Sequence, residues 1–284
     1  MTYEPDLDDP ADRRKLMLAT ADHAAASSAH HLRDLSATKA PTDRLPVSEY
    51  MGEMLRAVKN HAEGYLKHLY RAPVYVSTDR QPWLDDEPAW VINLQDGWQN
   101  LLAGFEHAAV SYTLITLRRP FISAVAPVFS ERRYMAAAGL GAWQQGEREE
   151  PRKVHPSSAD ALGSSALSFG LPADDLSAAA FRPAARMRPK AGALLLSGCS
   201  SLDLVDVARG ATQGHFEASV NPADVAAALL ILNEAGGIIT DWKGVDIHPR
   251  NAGTVNLAAS NGWVHGEMIQ TLSKLKAGAA SVTV

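Results

Sequence analysis

The sequence has almost no cysteine: Cys199 is the only one in 284 residues. An intramolecular disulfide and a metal site built from several cysteines are therefore both excluded, which is typical of proteins from a reducing compartment. The chain also lacks the run of ~18 apolar residues that a membrane-spanning helix needs. Its first residues are acidic and contain no apolar signal segment. We therefore expect a soluble, cytoplasmic protein with no membrane partner.

Basic residues are slightly fewer than acidic ones, with 27 Lys and Arg against 32 Asp and Glu. The formal net charge is −5, and no block of lysine and arginine stands out, so the sequence gives no support for a nucleic-acid partner. Apolar residues, in contrast, make up 46% of the chain. That share is enough for a substantial core and argues against wholesale disorder.

The order of patterns predicts two halves of different kinds. Two helical stretches, one after Asp9-Pro10 and one after Ser48, precede short β-branched runs that predict a meander of antiparallel strands. After a stretch rich in Ser, Pro and charge, strands and helices alternate, beginning with a predicted buried strand at "ALLLSG" (193–198). We place the N-terminal half at 1–150 and the C-terminal half at 151–284.

The stretch "WVINLQDGWQNLLAGF" (90–105) carries the first candidate chemistry. Asp96 follows a predicted buried strand and could supply one of the oxygen ligands that Mg²⁺ requires. Gly97 and the amides of a helix starting behind it would favour an anion. The alternative is an ordinary Asp-Gly turn, which is the commoner meaning of this dipeptide.

A second carboxylate comes from a distant part of the chain. Asp224 lies in the first turn of the apolar helix predicted by "NPADVAAALLILNEAGG" (221–237). Its charge would stabilise that helix end in any case. The functional alternative is that Asp224 joins Asp96 at one site.

Together these motifs resemble the inositol monophosphatase family, which includes bisphosphate nucleotidases and fructose-bisphosphatases. "WVINLQDGWQNL" is similar to the family's W-I-I-D-P-[LI]-D-G-T-T-N-F, and "ADVAAALLILNEAGG" to its W-D-x-A-A-G followed by E-A-G-G. "GCSSLDLVDVARG" is similar to G-S-A-A-L-x-L-x-x-V-A-x-G, and the order agrees from about residue 11 to residue 275. The resemblance implies an α/β layered sandwich, with an N-terminal α+β half containing an antiparallel sheet and a C-terminal α/β half. It also implies a homodimer.

The resemblance further implies Mg²⁺-dependent hydrolysis of phosphomonoesters, but several positions depart from the family pattern. Asn93 stands where the first D-P-x-D-G aspartate belongs, whereas Asp96 and Asp224 keep theirs. Trp98 replaces a catalytic threonine, and Thr78 replaces the G-E-E glutamate. Asp79, beside it, could reach the site only if the register of the preceding strand shifts. These losses imply a weakened Mg²⁺ site formed by Asp96, Asp224 and Asn93, with no obvious catalytic base.

The ligand-binding positions are better kept. Glu217 matches the family's contact to a substrate hydroxyl, and Gly97 keeps its place beside the phosphate. The indole of Trp98 could stack on a flat ligand or fill the cavity. Our first hypothesis is an impaired relative that binds a phosphorylated or anionic small molecule, or that acts in regulation or assembly. The alternative is an active, remodelled phosphomonoesterase for inositol phosphates, sugar phosphates or nucleotide 3′-phosphates.

The remaining reactive side chains fit no catalytic motif. None of the ten histidines forms an H-E-x-x-H pattern, and we expect solvated or packing roles for them. "GCSSL" is not a nucleophile elbow, because Leu202 occupies the last glycine position of G-x-S-x-G. We expect Cys199 to be a small core residue.

Overall fold

The computed structural model describes residues 10–38, 47–66, 72–77, 86–172, 177–247 and 253–274. The α-helices in these ranges are α1 Pro10–Thr38, α2 Val47–Leu66, α3 Trp98–Ala103, α4 Arg182–Met187, α5 Ser200–Ala208, α6 Pro222–Ala235 and α7 His265–Leu272. The strands are β1 Val74–Val76, β2 Ala89–Asp96, β3 Ala109–Thr116, β4 Arg119–Pro127, β5 Arg133–Ala137, β6 Gly141–Gln145, β7 Arg152–Lys153, β8 Ala166–Gly170, β9 Ala193–Leu195, β10 Gly214–Val220, β11 Ile238–Asp241 and β12 Val255–Ser260. Among the helices so described, none is both long and apolar enough to cross a bilayer.

The strands form two sheets. The first contains β1 to β7 in sequence order, and the second has the order β11-β12-β10-β8-β9. The predicted meander is confirmed from β2 to β7, whereas β1 runs parallel to β2. The second sheet is mixed, since β10 is antiparallel to β12 and parallel to β8. The chain changes sheet between β7 and β8, and the division at residue 150 stays a prediction.

The helices and sheets form five layers: α1 with α2, the first sheet, α5 with α6, the second sheet, and α4 with α7. On β3, Val110 and Tyr112 pack in a core with α1 and α2, whereas Ala109 belongs to a second core with α5 and α6. This is the two-residue period expected of a strand buried on both faces. The second core also includes Leu257 of β12, so α5 and α6 lie between the two sheets. A third core joins Phe216, on the other face of the second sheet, to α4 and α7.

Helix α6 is apolar around most of its circumference because it lies between two sheets. Its start and end follow local signals. The side chain of Asn221 accepts a hydrogen bond from the Ala223 N–H at 3.2 Å, and Pro222 occupies the first turn. Gly236 ends the helix with φ of 97°. The helix predicted from "NPADVAAALLILNEAGG" is thus confirmed.

The prediction of a buried strand at 193–198 is wrong about burial. Only β9 (Ala193–Leu195) is extended there, and it lies at the edge of the second sheet. Leu195 is 46% exposed and Leu196 is 48% exposed. Consecutive leucines predicted burial on both faces, but an edge strand has a neighbour on one side only.

Candidate functional site

The site begins at the end of β2, where the pairing with β3 shifts. Asn93 pairs with Ser111 and Asp96 with Ala109, so three steps along β2 correspond to two along β3. In a regular strand, residues three apart point to opposite faces. The bulge removes that alternation. Both side chains therefore reach helices on one side of the sheet, Asn93 contacting α6 and Asp96 contacting α5.

Asp96 holds the beginning of α5. Its Oδ1 accepts a hydrogen bond from the Ser200 N–H at 3.1 Å, and its Oδ2 accepts one from the Ser201 N–H at 2.7 Å. A carboxylate suits this position because the N-terminus of a helix carries partial positive charge. Burial nevertheless raises the pKa of Asp96, and the charge of Glu217 adds to that rise. Each oxygen keeps a further lone pair with which it could ligate a cation.

Asn93 is buried against the beginning of α6. Its Nδ2 donates a hydrogen bond to the backbone oxygen of Asp224 at 2.8 Å. An aspartate in this orientation would place a carboxylate oxygen against the backbone oxygen of Asp224, and a bound cation would be needed to offset their repulsion. The amide of Asn93 makes the contact without a cation. The amide oxygen is the atom by which Asn93 could ligate Mg²⁺, and it contributes a dipole without net charge.

Asp224 brings the second carboxylate to the same region. Burial raises its pKa to about 6; a hydrogen bond from Ser77 opposes the rise, and the charges of Asp96 and Glu217 add to it. Asn221 lies beside it, with Nδ2 at 3.4 Å from the Ser77 backbone oxygen and 3.5 Å from Asp224 Oδ1. The end of β1 and the first turn of α6 are therefore joined at this carboxylate.

Gly97 links β2 to α3 in a conformation that suits glycine. Its φ is 79°, and a Cβ there would overlap the backbone oxygen of His107. Asn100 secures the same loop by donating to the His107 oxygen at 2.9 Å and to the Ser197 oxygen at 2.7 Å. The backbone amides that begin α3 follow directly at Trp98, whose side chain is half-buried. Amides of a first helical turn have no acceptor within their helix.

Glu217, on β10, completes the cluster. Its Oε2 accepts a hydrogen bond from the Ser200 hydroxyl at 2.6 Å and lies 3.3 Å from Nε2 of His215. A register shift between Glu217 and Val220, with Ser219 at φ of 56°, bends the chain toward α6. The cluster therefore draws on the ends of β2 and β10 and the beginnings of α5 and α6.

The model of the inositol monophosphatase family matches residues 46–277. The chain belongs to the inositol monophosphatase family. It is 30% identical over 208 residues to a fructose-1,6-bisphosphatase/inositol-1-monophosphatase of Thermococcus kodakarensis, covering 72% of this chain and 75% of that one. It is 31% identical over 200 residues to a putative Nus factor SuhB of Neisseria meningitidis, covering 66% and 69%.

Solved structures show the same fold. Mycobacterium tuberculosis SuhB superposes with a TM-score of 0.77 at 23% identity, covering 92% of this chain and 96% of that one. The inositol monophosphatase of Anabaena gives 0.75 at 21% identity, covering 92% and 97%. The expected layered α/β sandwich is thereby confirmed. By sequence, the chain spans 64% of an inositol-1-monophosphatase from Synechocystis and 56% of a Nus factor SuhB from Xylella fastidiosa.

The family's metal positions are brought together only in part. Asp96 and Asp224 interact electrostatically, and the Asn93 side chain contacts the backbone oxygen of Asp224 in α6. Thr78 and Asp79, predicted to replace the glutamate of the family motif, lie outside the described residues. Within the part of the chain that is described, no three His, Cys, Asp or Glu side chains form a group that could hold a metal ion.

Sequence reasoning missed the residues behind Glu217. His215 is fully buried and contacts that glutamate, and Ser168 and Asp203 lie on its other side. The spacing of His215 and Glu217 was a usable signal, because residues two apart on a strand share a face. Ser200 lies in a stretch that resembles a family motif, but its contact with Glu217 was not predicted. The expectation for Cys199 is confirmed, since it is buried and burial raises the pKa of its thiol.

Proposed function

We propose that the chain binds a phosphorylated small molecule bearing hydroxyl groups, and that it hydrolyses this ligand slowly or not at all because its cation site is weak. The observation that carries the proposal is the hydrogen bond from the Asn93 amide to the Asp224 backbone oxygen. A neutral side chain that donates toward this oxygen takes the place where the family pattern has a negatively charged metal ligand.

Binding of an anion is supported by the way helices begin at the cluster. Gly97 precedes the first turn of α3, Ser200 begins α5, and Asp224 lies in the first turn of α6. Helix N-termini carry partial positive charge and unpaired amides, which suit a phosphate. Asp96 occupies the amides of α5, which leaves the phosphate to the amides from Gly97 onward. Glu217 can accept a hydrogen bond from a ligand hydroxyl.

Magnesium fits the remaining donors as one weakly held ion. Asp96, Asp224 and the amide oxygen of Asn93 would hold it. Burial is the main cause that raises the pKa of both aspartates, and neighbouring negative charge, which a cation would relieve, adds to the rise. When bound, the ion would neutralise charge on the phosphoryl oxygens. Mg²⁺ gives up its waters reluctantly, and a site with one or two carboxylates usually depends on substrate phosphates to complete its binding. We therefore expect weak binding of Mg²⁺.

The alternative is an active Mg²⁺-dependent phosphomonoesterase. It is favoured by the retention of Asp96, Asp224 and Glu217, and by relatives that are named inositol-1-monophosphatase and fructose-1,6-bisphosphatase. Other relatives are named Nus factor SuhB, which supports a regulatory or assembly role beside ligand binding. A homodimer belongs to the proposal through family resemblance alone, and a cytoplasmic location through the sequence composition alone.

Titration calorimetry with Mg²⁺ tests the proposal. The natural protein should bind Mg²⁺ weakly, and the triple variant Asn93→Asp, Thr78→Glu, Trp98→Thr should bind it at least about 10-fold more tightly, since each added carboxylate strengthens a hard-cation site. The same triple change combined with Asp224→Asn is the control and should lose most of that gain. An unchanged affinity in the triple variant would show that the missing ligands are wrongly assigned.

Phosphate release from inositol 1-phosphate and fructose 1,6-bisphosphate separates the two candidate functions. The proposal expects little turnover by the natural protein at saturating Mg²⁺. Turnover within about 10-fold of an active family member, and abolished by Asp224→Asn, would establish the alternative.

A further inference from the structure

A buried histidine lies directly behind the site glutamate. His215 is 0% exposed, and its Nε2 is 3.3 Å from Glu217 Oε2. On the other side of the ring, Nδ1 is 2.9 Å from the Ser168 hydroxyl and 3.7 Å from Asp203 Oδ2. Strand β10 supplies the histidine and the glutamate, β8 supplies Ser168, and α5 supplies Asp203. Three elements therefore fix the orientation of one imidazole ring.

The surroundings of His215 favour a ring that donates toward Glu217. Burial alone would lower the pKa of His215, but the hydrogen bond to Glu217 and the charges of Asp203 and Glu217 reverse that effect and raise it. Burial raises the pKa of Asp203 to about 7, although the charge of His215 opposes the rise. Whether Asp203 is protonated or not, an N–H on Nε2 of His215 is well placed to donate to the Glu217 carboxylate.

Glu217 is held through a single oxygen. Both described hydrogen-bond partners of its carboxylate, the Ser200 hydroxyl and the His215 ring, contact Oε2. Gly170, its neighbour on β8, leaves the room in which the carboxylate lies, because a Cβ at that position would overlap the Glu217 side chain. The carboxylate is thus fixed in orientation, with Oε1 as the oxygen that a ligand can use.

We propose that His215 is a positioning residue for Glu217, the glutamate that family resemblance assigns to a ligand hydroxyl. By fixing the carboxylate with Oε1 toward the ligand, His215 sets how strongly the site prefers a phosphate with a neighbouring hydroxyl over one without. This inference rests on the proposed function, since it specifies the class of ligand for the same site. The discrimination then lies with the buried His215 and the partly exposed Glu217, whereas the helix amides of the proposed function bind the phosphate that all such ligands share.

Ligand discrimination measures the positioning effect. Calorimetry should give the natural protein an affinity for inositol 1-phosphate about 10-fold or more above that for inorganic phosphate, as expected for a charge-assisted hydrogen bond. His215→Phe should reduce this ratio to about 2 while leaving the affinity for inorganic phosphate nearly unchanged, because only the hydroxyl contact depends on Glu217. His215→Gln, whose amide can still donate, should restore part of the ratio.

The matched control is His265→Phe. His265 is also buried, and both of its ring nitrogens are hydrogen-bonded, but to the hydroxyls of Thr240 and Ser260, at 2.9 and 3.0 Å, and not to a carboxylate. This variant should keep the natural ratio if the effect is specific to the contact with Glu217. A His215→Phe variant that folds and keeps the natural ratio would overturn the inference.

A second measurement does not depend on ligand binding. The ring ¹⁵N chemical shifts of His215 should change on Glu217→Gln, because the imidazole loses its charged partner, while those of His265 should not. Unchanged His215 shifts would refute the positioning role, whether or not the natural protein binds either ligand. Absence of binding to both ligands would instead refute the proposed function. Changed shifts without ligand binding would leave the His215–Glu217 coupling established but refute its use in hydroxyl selection.

Discussion

Replacing Gly97 with alanine should be far more damaging than replacing Gly104 with alanine, although the two glycines have nearly the same backbone conformation. Their φ values are 79° and 77°, so an added Cβ brings a similar left-handed strain of about 1 kcal/mol at each position. A Cβ at Gly104 meets no atom within 4 Å, whereas one at Gly97 overlaps the His107 backbone oxygen and lies 3.0 Å from the Ala108 Cα. Forcing backbone apart in a packed region costs a further 1–3 kcal/mol, on the order of other overpacking changes.

Gly104→Ala should therefore lower the free energy of unfolding by about 1 kcal/mol, and Gly97→Ala by about 3 kcal/mol. Urea unfolding followed by circular dichroism gives both values, and the difference isolates the collision from the strain that the two variants share. Gly97→Ala should also weaken phosphate binding, since the first amides of α3 would shift with the loop. Equal destabilisation by the two substitutions would refute the claim that close backbone approach, and not turn geometry alone, requires glycine at the site.

Two further predictions concern the ends of α6. Asp224 has a pKa of about 6 in the folded protein against ~3.9 when unfolded, so its contribution to stability is complete below pH ~4 and is lost as the pH rises through about 6. Without Mg²⁺, Asp224→Asn should match the natural protein in urea unfolding at pH 4 and exceed it by roughly 3 kcal/mol at pH 8; a pH-independent difference would contradict the burial argument. At the other end, Glu234 accepts hydrogen bonds from the Gly139 and Gly141 N–H groups at 3.0 and 2.9 Å, so Glu234→Ala should lower the unfolding free energy by about 1–2 kcal/mol. The exposed Glu267→Ala should change it by less than ~0.5 kcal/mol, and equal effects would show that the carboxylate does not hold the β5–β6 hairpin.

The fold was predictable because strong local signals agreed with one another. Asn221, Pro222 and Gly236 mark both ends of α6, and the near-continuous apolar sequence between them predicts a helix buried on all sides. Strand β9 was mispredicted because the position of a strand within its sheet is decided by distant partners. The same leucines would be buried in the middle of the sheet.

The site was predictable where the motif fixed the backbone. Asp96 and Asp224 interact electrostatically, and Gly97 directly follows Asp96; their use as one ligand site stays a prediction. The contacts of Asn93 and His215 could not be deduced, because they depend on a bulge in β2 and on the meeting of β8, β10 and α5. Sequence spacing placed His215 on the same face as Glu217, but nothing in the sequence indicated that Ser168 and Asp203 would enclose the other side of its ring.

The core between the two sheets limits how the two halves of the chain can evolve. It is built from residues of both sheets and of the helix between them, among them Val125 and Tyr134 from the first sheet, Leu257 from the second and Ile231 from α6. If the polypeptide were divided between β7 and β8, each piece would expose a large apolar surface to solvent. Neither piece could therefore recombine with other genes as an independently folding domain, so the two halves must evolve as one unit.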